Sequence, residues 1–229
     1  MTFSEHQIGN RPSQLTRLVA AYSWDRVGFL ASTLLIALIG TPLYVHHYGL
    51  LISDVVLFFS LFIASGLSIT MGYHRLFSHH AFEAHWLLRA AILFFGAGAL
   101  EGSVIHWCSE HRRHHRFTDQ EGDPYNGKLG FWHAHIGWAL LRQPESPRDN
   151  VGDLQQDKLA FWQDRCFPLL GPFAAYGLPA LIGWLWNGTH GALGGFLIAG
   201  VTRVVIVQQV TFLINSFCHC FGSQPYTNR

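Results

Sequence analysis

The 229-residue chain is short of charge: Asp, Glu, Lys and Arg make up only 13% of it, while hydrophobic residues make up 49%. Soluble domains carry about 25% charged residues, so the deficit points to a membrane protein. Fifteen Lys and Arg stand against fourteen Asp and Glu, a balance that excludes a broad nucleic-acid-binding field. The four cysteines, Cys108, Cys166, Cys218 and Cys220, form no C-x-x-C pair, which removes zinc ribbons and thioredoxin-type motifs. Cys218 and Cys220 flank His219, so a Cys-His-Cys metal site stays open beside the plainer reading of small buried thiols. H-E-x-x-H is absent, which disfavours a zinc protease, and so are the E-x-x-H pairs of soluble di-iron bundles. The first apolar run is too long for a signal-peptide core and lacks a cleavage pattern, so residues 1–25 are expected to form a cytoplasmic tail.

Long uncharged runs are what the sequence does have. Residues 27–45, 55–73 and 166–186 contain no charge, and 193–217 is interrupted only by Arg203, Gln208 and Gln209. Each is long enough to cross a hydrocarbon core of roughly 30 Å as a helix. The expected fold is therefore an all-α integral membrane domain over residues 1–229, with four transmembrane helices in two hairpins. Pro42, Pro172 and Pro179 are tolerable in membrane helices. The connections after the first and third runs hold no Lys or Arg, whereas residues 74–165 hold ten. The positive-inside rule then puts both termini and a 74–165 helical cap on the cytoplasmic side. Ala90 to Leu100 is apolar but too short to span, and is expected to lie in the interface.

Histidine is the compositional outlier, at 15 residues. His111, His114 and His115, in EHRRHHRFTD, lie at i, i+3 and i+4 and share one helix face. His74 and His79 are five apart, and five steps of a regular helix overshoot a full turn by about 140°. His74 is therefore expected to end the second membrane helix, with His79 on a following turn or new helix. In the last run Gln208, Thr211, Asn215 and His219 recur every three or four residues, a polar stripe that should face the protein interior. Helix rise gives about 28 Å from Val55 to His74 and about 33 Å from Leu193 to Asn215. Three distant histidine sets thus reach the cytoplasmic edge together, as a histidine-rich metal site in the cap. Imidazoles suit zinc, copper, iron and nickel.

GYHRLFSH, WCSEHRRHHRFTD, GDPYN, HIGW, VTFLINS and NSFCHCFGSQPY, in this order, resemble the membrane fatty acid desaturases, more narrowly the acyl-CoA or acyl-lipid Δ9 (stearoyl-type) branch. The resemblance covers residues from about 20 to the last. It implies an oxidoreductase that uses two iron ions, O2 and two electrons to place a cis double bond in a saturated acyl chain. By motif, His74, His79, His111, His114, His115 and His219 are implied iron ligands, and Asn215 a ligand through a water, with no catalytic residue beyond the ligands. Trp107, Thr211 and Phe212 are implied to line or bend an acyl tunnel. Implied partners are a fatty acyl substrate (on CoA, lipid or acyl carrier protein), the bilayer and a separate ferredoxin- or cytochrome b5-type electron donor, with no nucleic acid.

The family also has an HNxHH box about 30 residues beyond the asparagine–histidine element, a point past Arg229. The chain is accordingly expected to be a fragment lacking part of the iron site, or a degenerate relative. Ser109 stands where acyl-CoA members commonly have Arg, which leaves lipid-linked chains and acyl carrier protein open. Arg112, Arg113 and Arg116 are read either as attractors of phosphate headgroups or as solvated orientation signals. His135, in HIGW, is expected to support the site rather than bind metal. The expected membrane is the bacterial inner membrane, or the endoplasmic reticulum in a eukaryote. Two other functions remain: a membrane di-iron hydroxylase, and a non-enzymatic histidine-rich metal-binding or transport protein.

Overall fold

The computed structural model describes residues 20–142 and 148–221, and these are helical, with no strand beyond an isolated bridge between Tyr22 and Leu141. Most of the expected tail at residues 1–25 lies outside them. Among the described residues, three helices are long and apolar enough to cross a membrane: α1 (Trp24–Tyr48), α2 (Ile52–Ser78) and α5 (Lys158–Cys220). Between α2 and α5 lie the short apolar helix α3 (Trp86–Ala97) and the amphipathic α4 (Val104–Phe117). The outer face of α1 exposes Leu34, Leu35, Leu38, Ile39 and Leu43, a pattern suited to lipid rather than water.

Local chemistry explains the turns. Asp54 starts α2 by accepting from the Leu51 backbone N–H at 3.0 Å, and Tyr44 of α1 donates to the same carboxylate at 2.9 Å. Pro42 and Pro179 each follow a short π-helical stretch, Ile36–Gly40 and Phe173–Gly177. Local widening of this kind re-pairs the carbonyls that a proline leaves without a donor.

The helix α5 has 63 residues, which at about 1.5 Å per residue far exceeds a bilayer if straight. It is not straight. Asn187 (φ −135°, ψ 25°) and Gly188 (φ 62°, ψ −146°) leave helical geometry, and two limbs, 158–186 and 189–220, fold against each other. At this crossing a Cβ on Gly183 would collide with the Gly191 carbonyl, and one on Gly195 with that of Pro179. Only glycine lets two backbones approach so closely. The sequence reading placed a connection at 187–194, but here a two-residue reversal suffices.

Buried polar groups tie the bundle together. Arg203, 1% exposed, donates to Ala199 O, Ser65 Oγ, Ala175 O and Gly98 O, so one guanidinium joins both limbs of α5 to α2 and to the end of α3. Gln208 donates to Ala99 O and Leu100 O, fixing the loop between α3 and α4. The main apolar core packs Ile69, Tyr73 and Phe77 of α2 against Val104, Ile105 and Cys108 of α4. That packing sets the histidine-bearing face of α4 beside the end of α2.

Candidate metal centre

The helix α2 ends in a π-helical stretch, Ser68–Ser78. The His79 N–H donates to His74 O at 3.2 Å, and Ser78 Oγ donates to Tyr73 O at 2.8 Å. This i→i+5 bonding stacks residue 79 above residue 74, and π turns of this kind concentrate at functional sites. The expectation that His74 ends the helix is corrected: the helix runs on through Ser78, and His79 follows on the turn at its C-cap, where the widened end brings both rings to one side, 4.7 Å apart.

On α4, Ser103 caps the first turn by accepting from the His106 N–H at 3.3 Å. One turn and more later, His111 and His115 meet the α2 pair. Ring centroids are 4.6 Å apart for His74–His111 and 4.5 Å for His111–His115, and His79 Nε2 lies 3.0 Å from His111 Nε2. One nitrogen from each of His74, His79, His111 and His115 falls within 4.8 Å of the others, a geometry that could hold a metal ion. Burial and then the neighbouring imidazoles of His115, His74, His79 and His114 push the His111 pKa down to about 2. Burial and then His79 likewise lower that of His115. His111 and His115 are thus held neutral, the form that binds metal.

His114 stands apart from these four and pairs with His219, 5.0 Å away, at the end of α5. Each has its Nδ1 against a carboxylate: His114 with Asp123 at 2.8 Å, His219 with Asp119 at 3.2 Å. A carboxylate on Nδ1 fixes the ring and leaves Nε2 free for a metal. Burial raises the Asp123 pKa, but the bonds from His114, Tyr125 N and Asp119 N outweigh it and hold the carboxyl below its usual range. Asp119 adopts a left-handed conformation (φ 56°). Gly127 lets it approach His219, because a Cβ there would lie 2.9 Å from both Asp119 Oδ1 and His219 Cβ.

Asn215 lies along two cavities. One, of about 290 Å³, is lined by His74, His111, His114, His115 and His219 together with apolar residues of α2 and α5. The other, of about 240 Å³, runs between α1, α4 and α5 and is lined by Phe29, Leu30, Trp138 and Phe212. Trp107, His111, Thr211 and Asn215 line both. They form the wall between the histidines and a channel whose surface is mostly apolar but also carries Arg26, Glu101, His106 and Glu110.

The sequence reading missed several supporting residues. Glu101 was given no role and Asp123 figured only within GDPYN, although Asp123 holds His114 and Glu101 accepts from Trp107 Nε1 at 3.2 Å and Thr211 Oγ1 at 2.7 Å. Arg112 is corrected from a headgroup attractor or solvated signal: it donates to Phe77 O, Ser78 O and Asn150 O and pairs with Asp153, clamping the end of α2. Ser109 is likewise occupied, by Asn150. His135 uses both ring nitrogens on Ser216 and Gln209, so it braces α5 and has no nitrogen left for metal. Cys218 and Cys220 are exposed, and neither joins the histidine group.

The donor set fits iron. Imidazoles dominate it, carboxylates lie against two of them, and mostly apolar walls limit solvent access. Replacing Asp123 by Asn should lower metal affinity about 10- to 100-fold, the usual cost of losing such a partner. Chelator competition on the full-length protein measures this, and unchanged affinity would show that the Asp123–His114 bond does not orient a ligand.

Residues 52–229 match the Fatty acid desaturase family profile. A probable acyl-CoA desaturase of Schizosaccharomyces pombe is 44% identical over 165 residues, 71% of this chain and 34% of that protein. Acyl-CoA desaturase 1 of Saccharomyces cerevisiae is 42% identical over 179 residues, 76% of this chain and 34% of its own length. A Delta(9)-fatty-acid desaturase of Caenorhabditis elegans is 34% identical over 210 residues, 89% of this chain and 61% of its own length. The chain thus spans between about a third and three fifths of the length of these relatives. With the histidine groups on α2, α4 and α5 inside the matched region, the chain belongs to the fatty acid desaturase family.

Proposed function

We propose that the protein desaturates saturated fatty acyl chains, with the Δ9 position as the expected site. The observation that carries this reading is the wall of Trp107, His111, Thr211 and Asn215, which sets an apolar channel directly against the histidine cluster. The channel binds and orients the chain, and its apolar lining excludes water from the reacting carbons. His74, His79, His111 and His115 would hold one iron, with His114, His219 and Asn215, through a water, contributing to a second. Two irons held there would supply, with O2 and two electrons, the oxidising power to remove two hydrogens from an unactivated carbon pair. Electrons would come from a separate ferredoxin- or cytochrome b5-type donor.

The reversal at Asn187–Gly188 supports four membrane passes, with α5 contributing two. The basic 74–165 segment then lies on the cytoplasmic side with the metal centre. The membrane is the bacterial inner membrane or the endoplasmic reticulum; the relatives named above are all eukaryotic and give the bacterial choice no support. Acyl-CoA, acyl-lipid and acyl carrier protein remain the carriers to compare, and the first is in the names of the two yeast relatives.

The test is to supply the full-length, iron-loaded and reduced protein with palmitoyl and stearoyl substrates and analyse products by mass spectrometry. Cis-monoenes are expected. A hydroxylated chain would replace this reading by the hydroxylase, and no product despite full iron loading would overturn both. Phe212, which lines the channel and not the histidine cavity, provides a second check. Phe212→Ala should shift preference towards longer chains by roughly tenfold, the scale of discrimination a methylene or two commands in an apolar pocket. An unchanged product profile would remove Phe212 from the substrate site.

A further inference from the structure

Among the channel-lining residues, Glu101 holds the partition itself. It sits in the loop between α3 and α4, flanked by Leu100 (φ 56°) and Gly102 (φ 107°), both in the left-handed region. Gln208 holds this loop from one side through the carbonyls of Ala99 and Leu100, and Arg203 anchors it through Gly98 O. The strained turn is thus held by buried donors rather than left mobile. From it the Glu101 carboxylate reaches Thr211 and Trp107, two of the four wall residues. A carboxylate at the edge of an alkyl channel is costly to keep charged once the channel is dry.

We propose that Glu101 takes up a proton from solvent when an alkyl chain fills the channel, so that acyl binding is linked to pH through this side chain. This rests on the acyl-channel reading above. Burial already pushes the carboxyl up to about 7, against the lowering effect of the bonds from Thr211 and Trp107. A carboxyl with a raised pKa is neutral below that value and ionised above it. An incoming chain displaces the water that solvates the ionised form and leaves the neutral form nearly unaffected, so binding favours the acid. The neutral acid keeps both contacts: its O–H donates to Thr211 Oγ1, and its carbonyl oxygen still accepts from Trp107 Nε1. No bond to carbon forms or breaks.

The other titratable groups lining the channel are Arg26 from α1, His106, Glu110 and His111 from α4, and Tyr125 from the following turn, and Tyr73 of α2 also faces Glu101 from behind the wall. The limb of α5 beside Glu101 lines the channel with uncharged groups only, Gln208, Thr211, Phe212 and Asn215, and its one charged group facing the loop is Arg203, held on Gly98 O. None of these charges ranks among the causes of the Glu101 shift, which are burial and the two hydrogen bonds. The linkage is therefore expected to vanish with this one carboxyl.

Binding of tritiated methyl palmitate, which has no titratable headgroup, to the full protein in nanodiscs tests the proposal between pH 6 and 8.5. Affinity should be highest at the acid end and weaken above pH 7 by up to about tenfold per pH unit. Glu101→Gln, which keeps the size and both hydrogen bonds, should bind with pH-independent affinity. Calorimetry at pH 8 in buffers of different ionisation enthalpy should detect proton uptake in the parent and none in the variant. Flat binding in the parent, or an equal pH slope in Glu101→Gln, would overturn the proposal. Absence of binding at any pH in both proteins would instead refute the acyl channel, and the linkage with it.

Discussion

Replacing His111 by Ala should abolish double-bond formation and strip iron from the full-length protein. His111 meets all three other rings of the four-histidine group: it lies 4.6 Å from His74, 5.1 Å from His79 and 4.5 Å from His115 by ring centroid. It also stacks on Trp107 at 4.8 Å, so its loss opens the partition to the channel. Loss of an outer partner alone costs about 10- to 100-fold, and removal of a direct ligand should exceed the upper figure. Iron per chain by elemental analysis and product by mass spectrometry are the measurements, with helix content by circular dichroism to establish folding. His80→Ala is the control. His80 is one residue from His79 but exposed and paired with Asp153, so that variant should keep its iron. Full iron occupancy in His111→Ala would remove the histidine group from the metal site.

Replacing Arg203 by Met should give the largest loss of stability among single changes in the bundle. Methionine fills the volume but donates nothing, so the carbonyls of Gly98 and Ala175 lose a donor where no water reaches them. Each unsatisfied buried group costs about 1–3 kcal/mol. Roughly 3 kcal/mol or more is therefore expected, equivalent to a fall of about 10 °C in melting midpoint for a domain of this size. Arg203→Lys should fall between, because an ammonium cannot span four acceptors on four backbone segments. Thermal melting in detergent checks this. An unchanged midpoint in Arg203→Met would show that the guanidinium network contributes nothing to holding the helices.

The membrane helices and the histidine groups were legible in the sequence for different reasons. Runs such as 27–45 declare themselves by hydropathy, and His111, His114 and His115 by an i, i+3, i+4 spacing that matches helical geometry. The spacing of His74 and His79 put His79 on the turn after the helix, where it lies, but the helix end was set four residues early, because nothing in HRLFSH signals a π-helical continuation. Arg112 was read by its charge, whereas its use depends on the carbonyls that happen to end α2 beside it. Glu101 and Asp123 carried no periodicity at all. Their roles arise from long-range meetings with Thr211 and His114, which folding creates and local pattern does not announce. The close crossing at Gly183 and Gly191 was similarly invisible, since a glycine in an apolar run looks the same whether or not a backbone passes it.

The partition between the two cavities is one side chain thick. Trp107, His111, Thr211 and Asn215 each present one surface to the channel and another to the histidines. Changes at these positions cannot adjust chain selectivity and metal environment separately, and pairs of such changes should combine non-additively. Positions that touch only the channel, such as Leu30 and Phe212, carry no such constraint. A lineage drifting towards a different chain length has its free variables there, while the four shared residues can move only in concert.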